Sequence, residues 1–288
     1  MQVEIWEDYI SLNSRTDYAS KSLGPVSQYL HQADGTVVWD TDRLAVQVAV
    51  ERDTAPLPTT EDREGYYGDN HYNFWASGLR DLFQITDWCD ANGVNIDSYL
   101  DVGCASGRLL RHLHYQTGIS SIVGCDINRA HVDWVTRHLP LAISVFQNTS
   151  IPTLPLADGS VDFLSAFSVM THIESFDTTW LMEFRRILRP GGIAWLTFHS
   201  SRTWAEMTPG WPIYDALATH PDFSKFRGKP LASDRLIFRW RNQRSYSSNV
   251  FYSESYIRRN WGRILEFIEV IPCQPSFQDT AIFRKAGP

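Results

Sequence analysis

The sequence predicts an α/β fold in which helices cover both faces of a mostly parallel sheet. Three observations support this prediction. Short β-like runs alternate with helical stretches from residue 98 to residue 199. A turn of small residues joins the first of these strands to a helix, and two further β-like runs follow near the end of the chain. Units of strand, helix and strand connect by right-handed crossovers and give parallel neighbours.

The composition is that of a globular chain. Of its 288 residues, 43% are hydrophobic and 20% are charged, which is enough to bury a substantial core. No run approaches the roughly 20 apolar residues that span a bilayer. The first residues are acidic where a signal peptide carries basic ones. We therefore expect a cytoplasmic protein that binds no membrane.

Charge and cysteine spacing narrow the expected partners. The net charge is −7 and no basic run stands out, so we expect no nucleic acid partner. The four cysteines are scattered and form no Cys-x-x-Cys pair, so we predict neither a metal site nor a disulfide framework. A small molecule is the expected partner, and the sequence does not predict an oligomeric state.

Residues 1–60 are predicted to form an N-terminal extension. Within it, β-like runs flank Asp34-Gly35, a pair typical of tight turns, and this pattern predicts a β-hairpin. The alternation in residues 44–50 predicts another strand. Two prolines then interrupt the pattern, and residues 53–60 are predicted to be a linker.

The predicted core follows, from residue 61 to residue 200. A helix is predicted over residues 73–90, because apolar side chains recur at helical spacing, and Gly93 ends it. Helices are also predicted over residues 108–115, 129–138 and 178–188. The predicted strands are Tyr99–Val102, Ser121–Cys125, Ala142–Gln147, Val161–Ala166 and Ile193–Phe198. The segment Arg189-Pro-Gly-Gly192 is predicted to stop the last helix before the fifth strand.

Residues 201–262 do not continue the alternation of strands and helices, and they are predicted to form an inserted cap. They carry several tryptophans and prolines, and basic residues cluster between Lys225 and Arg244. Such a cluster is usually a solvated face, although it would also suit an anionic ligand. Residues 263–288 contain two predicted strands that would close the sheet edge, Leu265–Ile271 and Thr280–Arg284.

The turn after the first core strand carries the most chemical information. Its small residues let a ligand approach the backbone beside a helix start, in the sequence Asp101-Val-Gly-Cys-Ala-Ser-Gly107. A dinucleotide site would need G-x-G-x-x-G, but this turn has glycine only at Gly103 and Gly107, with Ala105 between them. Asp101 would repel a pyrophosphate, whereas it suits a ligand with an ammonium group. S-adenosylmethionine, which carries an ammonium and a sulfonium, is therefore the favoured ligand.

A second carboxylate, Asp126, ends the second core strand. It lies roughly 20 residues after the glycine turn, where an acid can accept hydrogen bonds from ribose hydroxyls. The alternative is that Asp126 caps the helix predicted to begin at Arg129. Because the glycine turn precedes it, ribose binding is the favoured role.

Four segments in order resemble the successive motifs of class I S-adenosylmethionine-dependent methyltransferases. They are residues 101–107, 124–126, 154–162 and 188–192. The resemblance implies a Rossmann-like, seven-stranded, mostly parallel sheet whose last strand is antiparallel. It also implies an enzyme of this class with S-adenosyl-L-methionine as its cofactor. Ala105 departs from the family, which often has glycine there, but alanine is small enough to be tolerated.

The resemblance also assigns cofactor-binding residues. It implies that Asp101 and Gly103 line the methionine end and that Asp126 holds the ribose. It places Asn148 where the family contacts adenine, and a side-chain amide can bond the edge of a base. The predicted cofactor-binding residues are Asp101, Gly103, Ala105, Gly107, Asp126, Ile127, Asn148, Thr149 and Phe167.

Two histidines are candidates for a general base. A hydroxyl acceptor is a poor nucleophile while protonated, and histidine titrates near neutrality. In this family the segment after the fourth strand lies near the transferred methyl, so His172 is the first candidate. His199, after the fifth strand, is the second. Each could instead be a loop histidine bonded to the backbone.

Aromatic residues before the core are predicted to contact the acceptor. Methyltransferases of this family often carry a lid in this position, and Tyr66, Tyr67 and His71 are the predicted lid or acceptor contacts. The alternative is a folded connector whose rings pack on the core.

The favoured function is O-methylation of a hydroxyl in a small molecule, such as a sugar or a secondary metabolite. The Asn/Asp-Pro-Pro-Tyr/Phe motif of DNA amide methylation is absent, and Phe167-Ser-Val-Met170 stands in its place. An N-methyltransferase of a small amine and a non-catalytic S-adenosylmethionine-binding protein remain open. A nicotinamide-dependent oxidoreductase is disfavoured by Asp101 and by the glycine spacing.

Overall fold

The computed structural model describes residues 20–37, 39, 42–231, 233–240, 248–272 and 277–287. These residues divide into two compact units, the first ending at Asn148 and the second beginning at Thr149. Each unit contains parallel strands and helices, which confirms the predicted α/β class. The division lies inside the predicted core of residues 61–200, and the four predicted segments remain predictions. The first 19 residues and the basic stretch 241–247 lie outside the described residues.

Three parallel strands form the sheet layer of the first unit. A small antiparallel pair, β1 (Ser22–Pro25) and β2 (Pro56–Pro58), precedes them. Strand β4 (Ser121–Asp126) lies between β3 (Ser98–Val102) and β5 (Ile143–Gln147). The prediction of these three strands was correct to within one residue at each end, because buried parallel strands are continuous apolar runs.

The helices of the first unit begin and end at recognisable signals. They are α1 (Arg43–Arg52), α2 (His71–Asn92), α3 (Leu110–Gln116) and α4 (Arg129–His138). The Asn70 side chain caps α2 by accepting the Asn73 N–H, and Gly93 ends this helix in the left-handed region at φ +63°. The prediction of a helix over residues 73–90 is thereby confirmed.

The predicted N-terminal hairpin is wrong. Residues Val26–Gln32 form a 3-10 helix instead of a strand. The turn at Asp34 exists, but the Asp34 carboxylate accepts hydrogen bonds from the side chains of Asn70 (3.0 Å) and Asn73 (2.8 Å). Gln32 Oε1 accepts the His71 N–H at 2.7 Å. The segment is therefore bonded to the start of α2 through side chains, which removes the need for a pairing strand.

The predicted strand over residues 44–50 is also wrong, since these residues lie in α1. The Asp42 side chain accepts the Leu44 N–H at 3.0 Å and caps the helix. Ala49 and Val50 are buried, whereas Leu44 is 67% exposed. Alternation of valine with alanine and glutamine is typical of strands, but here only one side of a short helix is buried.

The predicted linker is an ordered, largely buried segment. Asp53 and Arg111 form an ion pair at 2.6 Å in which both side chains are fully buried. Trp75 Nε1 donates to the same carboxylate at 2.7 Å, and Arg111 also bonds the carbonyl of Ala55. Leu57 is fully buried in β2. The prolines therefore suit a short edge strand, where a missing N–H costs little.

The second unit begins with a parallel pair of strands. Helix α5 (Asp177–Ile187) joins β6 (Val161–Ala166) to β7 (Leu188–Ser200), and the two strands run parallel. The helix stops at the predicted place, but β7 begins at once instead of at Ile193. The Gly191 N–H donates to the Lys285 carbonyl oxygen at 2.8 Å, so the glycine pair is already part of the strand edge.

The predicted insert adds a strand to this layer. Its described elements are α6 (Ser201–Glu206), α7 (Pro212–Ala218), α8 (Phe223–Phe226), β8 (Arg235–Arg239), β9 (Ser248–Tyr252) and α9 (Glu254–Asn260). Strand β9 pairs antiparallel with β8 and parallel with the end of β7, where His199 lies opposite Phe251. The insert also packs around its own aromatic cluster, in which Trp204 is stacked on Phe238 at 5.8 Å.

Two antiparallel strands complete the second unit. Strand β11 (Asp279–Arg284) pairs antiparallel with β7, and β10 (Glu266–Ile271) pairs antiparallel with β11. Both predicted C-terminal strands are thus confirmed to within one residue at each end.

Candidate functional site

The turn between β3 and α3 is held in a strained, preformed shape. Gly103, Ala105 and Gly107 have φ angles of +72°, +46° and +77°. The N–H groups of Gly103 and Cys104 both donate to the Cys125 carbonyl oxygen on β4, at 2.8 and 3.0 Å. A left-handed alanine costs about 1–2 kcal/mol, so the turn keeps this shape against an intrinsic cost at Ala105. Strain of this kind is typical of ligand-binding turns.

Substitution of Gly107 tests this shape. A Cβ atom at Gly107 would lie 2.5 Å from Cδ1 of Leu139, just after helix α4, and 3.2 Å from Cγ2 of Val135 on that helix. We expect Gly107→Ala to lower the free energy of unfolding by about 1–3 kcal/mol, through overpacking and left-handed strain. Urea unfolding of this variant and of Gly118→Ala would measure the effect. Gly118 has open space around its Cβ position, so equal midpoints for the two variants would contradict the account.

Asp126 lies directly beside this turn. Its Oδ2 accepts the Ala105 N–H at 2.8 Å, and its Oδ1 accepts the Asn128 N–H at 2.8 Å. The cap of helix α4 is Asn128, whose side chain accepts the Ala130 N–H at 3.0 Å. Capping of α4 is thus assigned to Asn128, which leaves Asp126 to its contacts at the turn.

The electrostatics of Asp126 keep it ionised. Burial acts to raise its pKa, but the charge of His131 and the N–H groups of Asn128 and Ala105 outweigh burial. The net result is that the pKa of Asp126 lies below its ordinary value. A carboxylate has about four acceptor positions. With one backbone N–H on each oxygen, each oxygen keeps capacity for a further donor, and a ribose supplies two hydroxyls. The donor set therefore fits a ribose.

The other predicted cofactor residues of the first unit surround this turn in the chain. Asp101 is the penultimate residue of β3 and is 3% exposed. The Asn148 N–H donates to the Asp126 carbonyl oxygen at 3.1 Å, and Asn148 itself is buried. Ile127 is half-buried, and its carbonyl oxygen accepts from Gln147 Nε2 at 3.0 Å. The structure therefore brings Asn148 and Ile127 to the same strand end as Asp126. Their contacts with a cofactor remain predictions.

The predicted lid segment is a braced loop. Buried Arg63 donates to the carbonyl oxygens of Pro58 (3.0 Å), Tyr66 (2.7 Å) and Gly68. It also lies 2.8 Å from His71 Nδ1, which must therefore accept from the guanidinium. Burial, and then the charge of Arg63, lower the pKa of His71. His71 thus has a structural role, and its contact with an acceptor remains a prediction.

Tyr66 and Tyr67 lie on this braced loop. Tyr66 is 58% exposed and Tyr67 is 39% exposed. Tyr67 adopts a left-handed conformation at φ +63° and contacts the Phe74 ring edge-on at 6.4 Å. The Tyr67 ring therefore packs against Phe74, as expected of a folded connector, whereas the Tyr66 ring is mostly exposed. Their contacts with an acceptor also remain predictions.

In the second unit, His172 is oriented by a backbone hydrogen bond. Its Nδ1 lies 2.7 Å from the Ser248 carbonyl oxygen at the start of β9. The preceding turn contains Ser168 in a left-handed conformation at φ +58°, and the Ser168 N–H donates to Thr197 Oγ1 at 2.7 Å. Half-buried His172 therefore sits on a turn that is bonded to both β7 and β9.

His199 lies in an apolar setting at the end of β7. It is 2% exposed, and its ring lies 5.0 Å from that of Phe251 and 6.0 Å from that of Phe277. Among the described residues, neither ring nitrogen has a hydrogen-bond partner. Burial, and then the charge of His172, lower the pKa of His199 to about 3. His199 is therefore neutral and weakly basic near pH 7.

Two predicted cofactor residues, Thr149 and Phe167, belong to the second unit. Thr149 Oγ1 accepts the Ile151 N–H at 3.3 Å, and Phe167 is half-buried directly after β6. Neither position tests the predicted contact.

The turn and Asp126 belong to an α/β unit, and comparison with known proteins shows which family part of the chain matches. Residues 100–196 match the family model described as "Methyltransferase domain". The match confirms the predicted family. Residues 100–196 therefore carry a methyltransferase domain. This agrees with the predicted resemblance to class I S-adenosylmethionine-dependent methyltransferases, whose cofactor is S-adenosyl-L-methionine.

Two curated relatives each match part of the chain. An uncharacterized 37.1 kDa protein in a transposon of Streptomyces fradiae is 37% identical over 100 residues, which are 33% of this chain and 28% of that protein. A malonyl-[acyl-carrier protein] O-methyltransferase of Hahella chejuensis is 23% identical over 112 residues, which are 39% of this chain and 40% of that protein. The chain thus spans less than half the length of the curated relatives that it matches.

Among solved structures, the chain is similar to a methyltransferase from Methanosarcina mazei. That protein is S-adenosylmethionine-dependent by its description, and its TM-score is 0.49 at 16% identity. The alignment covers 69% of this chain and 98% of that chain.

The described residues contain no membrane-spanning helix and no metal-binding cluster. None of their helices combines the length and apolar character that crossing a membrane requires. Within the same residues, no group of three or more His, Cys, Asp or Glu side chains could hold a metal ion.

Three features of these sites were not predicted from the sequence. The first is His131, which lies beside Asp126. The only sequence feature that could have indicated this contact is the position of His131 in the first turn of the helix that follows Asp126. The Ser248 carbonyl oxygen orients His172, and Phe251 and Phe277 enclose His199. These contacts join residues about 50 to 80 positions apart, so no local pattern could predict them.

Proposed function

We propose that this protein transfers a methyl group from S-adenosylmethionine to a hydroxyl oxygen of a small-molecule acceptor, such as a sugar or a secondary metabolite. The observation that carries the proposal is the 2.7 Å contact between His172 Nδ1 and the Ser248 carbonyl oxygen. A carbonyl oxygen only accepts hydrogen bonds, so Nδ1 carries the proton. In the neutral ring the lone pair is then on Nε2, as a general base requires.

Each site residue has its own role in the proposed reaction. Bound S-adenosylmethionine would supply an electrophilic methyl group, with Asp126 holding its ribose and Asp101 its ammonium end. His172 accepts the hydroxyl proton of the acceptor at Nε2, which turns the oxygen into a better nucleophile. His199, being neutral, offers one donor and one acceptor nitrogen to polar groups of the acceptor.

Two further observations support an oxygen atom in a small molecule as the acceptor. One relative is named as an O-methyltransferase, although it shares only part of its length with this chain. The net charge of −7 favours a small molecule over nucleic acid, which usually binds to dense positive charge. We also propose a cytoplasmic location, since nothing in the composition indicates a membrane partner.

Turnover with methyl-labelled S-adenosylmethionine tests the proposal. Matched panels of hydroxylated metabolites and of primary and secondary amines would be incubated with the enzyme, with an acceptor-free reaction as control. We expect label to appear in at least one hydroxyl compound. Transfer to amines alone would show an N-methyltransferase, and cofactor binding without any transfer would indicate a binding protein.

A further inference from the structure

The ribose carboxylate has a partner on the first turn of α4. His131 is 6% exposed, and its Nδ1 lies 3.5 Å from Asp126 Oδ1. On the other side of the ring, Nε2 lies 3.9 Å from Glu64 Oε1. The imidazole therefore stands between two carboxylates, one on the strand end and one on the braced loop.

The charges around this ring favour its protonated form. Asp126, Glu64 and Asp62 all face it, and two of these carboxylates are buried. Burial alone would lower the pKa of His131, but Asp126, Glu64 and Asp62 outweigh burial and raise it. At 3.5 and 3.9 Å neither ring nitrogen makes a hydrogen bond among the described residues, so both contacts are electrostatic. Only the protonated ring, as a cation, is attracted to both carboxylates.

Glu64 also connects the loop to the segment after Asp126. Its Oε1 accepts from Asn128 Nδ2 at 2.9 Å, and the Asn128 N–H in turn donates to Asp126. Glu64 adopts a left-handed conformation at φ +54°, directly after the 3-10 helix Glu61–Arg63. The loop is thus linked to Asp126 by two routes, through Asn128 and through His131, and both routes reach Oδ1 of the carboxylate.

We propose that protonated His131 is a positioning residue of the cofactor site, which clamps Asp126 to Glu64 and holds the carboxylate oriented for two ribose hydroxyls. The proposal rests on the proposed function, because it takes Asp126 to be the ribose ligand. Loss of the proton leaves Asp126 and Glu64 as neighbouring negative charges without a cation between them. The carboxylate then loses its fixed orientation and the loop loses an attachment.

The clamp makes cofactor affinity depend on pH. A group with a raised pKa keeps its protonated contacts fully below its ordinary value, which is about 6.5 for histidine. The contacts are lost as the pH rises through the raised pKa of His131. Affinity is therefore highest on the acid side of this window and falls towards alkaline pH.

Calorimetry with 5′-methylthioadenosine tests the clamp. This probe keeps the adenosine of the cofactor but lacks its amino-acid group, so it does not titrate between about pH 6 and about pH 9. We expect the affinity of the wild-type protein to fall about fivefold or more across this range. His131→Gln should bind about fivefold more weakly at the acid end and show no pH dependence. His138→Gln is the matched control, since His138 lies on the same helix and contacts Ser20 Oγ at 3.0 Å.

Glu64→Gln provides a second test that leaves the histidine in place. Removal of this charge should move the midpoint of the His131 ring titration, followed by NMR, to lower pH, and the affinity change should move with it. The clamp would be overturned if the affinity of the wild-type protein for 5′-methylthioadenosine did not depend on pH. It would also be overturned if the affinity of His131→Gln kept the pH dependence of the wild type. Absence of binding of both 5′-methylthioadenosine and S-adenosylhomocysteine at every pH would instead overturn the proposed function, and the clamp with it.

Discussion

Asp126→Ala is expected to weaken S-adenosylhomocysteine binding by about 100-fold or more. Two ribose hydroxyls would each lose a hydrogen bond to a charged group, and such bonds contribute about 1.5–3 kcal/mol each. Isothermal titration calorimetry at a fixed pH measures the change. The effect should appear mainly as a faster dissociation of the ligand, since most affinity changes of this kind lie in the off-rate.

Two further variants separate ribose binding from folding. Asp126 also accepts the N–H groups of Ala105 and Asn128, so its removal disturbs the turn as well. Asp126→Asn keeps one acceptor oxygen in the same shape and should give a smaller loss of affinity. Asp133→Ala is the control, because Asp133 lies on α4 in an exposed ion pair with Arg129 and should bind ligand normally. Unchanged affinity in Asp126→Ala would remove the ribose assignment.

His172→Ala is expected to lower kcat by about 10²–10⁴-fold, the range of general acid–base contributions. The variant loses the proton acceptor at Nε2, but S-adenosylhomocysteine affinity should be unchanged because the cofactor residues are intact. Rates of labelled-methyl transfer at saturating cofactor, measured with the acceptor found in the panel, give the comparison.

His199→Gln distinguishes the two candidate histidines. A ring with a pKa of about 3 is a weak base near neutrality, so His199 is expected to bind the acceptor instead of deprotonating it. Glutamine keeps a donor and an acceptor, so the variant should raise KM while kcat falls by less than about tenfold. A larger loss of kcat in His199→Gln than in His172→Ala would exchange the two roles.

Local patterns predicted the regular part of the fold. Strands β3 to β6 were predicted within one residue, because buried parallel strands are apolar runs between turn residues. The predictions of a hairpin and of a linker were wrong because distant partners determine the structure of these segments. Asp34 is bonded to Asn73 on α2, and Asp53 is paired with Arg111 on α3. Long-range side-chain bonds of this kind override local propensity, and a single sequence gives no sign of them.

In the candidate site, too, features within one local segment were predicted and features that depend on distant residues were not. Asp126 and the glycine turn were predicted because their chemistry lies within one strand–turn–helix segment. The orientation of His172 depends on the Ser248 carbonyl oxygen, which lies 76 positions further along the chain. His131 and Asp126 are close in sequence. A role for His131 can be inferred only from the structure, because it places Glu64 on the other side of the ring.

A crystal structure of the protein with S-adenosylhomocysteine tests the central claim most directly. We predict that both ribose hydroxyls lie within hydrogen-bond distance of the Asp126 carboxylate oxygens. We also predict that the Ala105 and Asn128 N–H groups still donate to that carboxylate. A ligand bound elsewhere, or a ribose turned away from Asp126, would contradict the account.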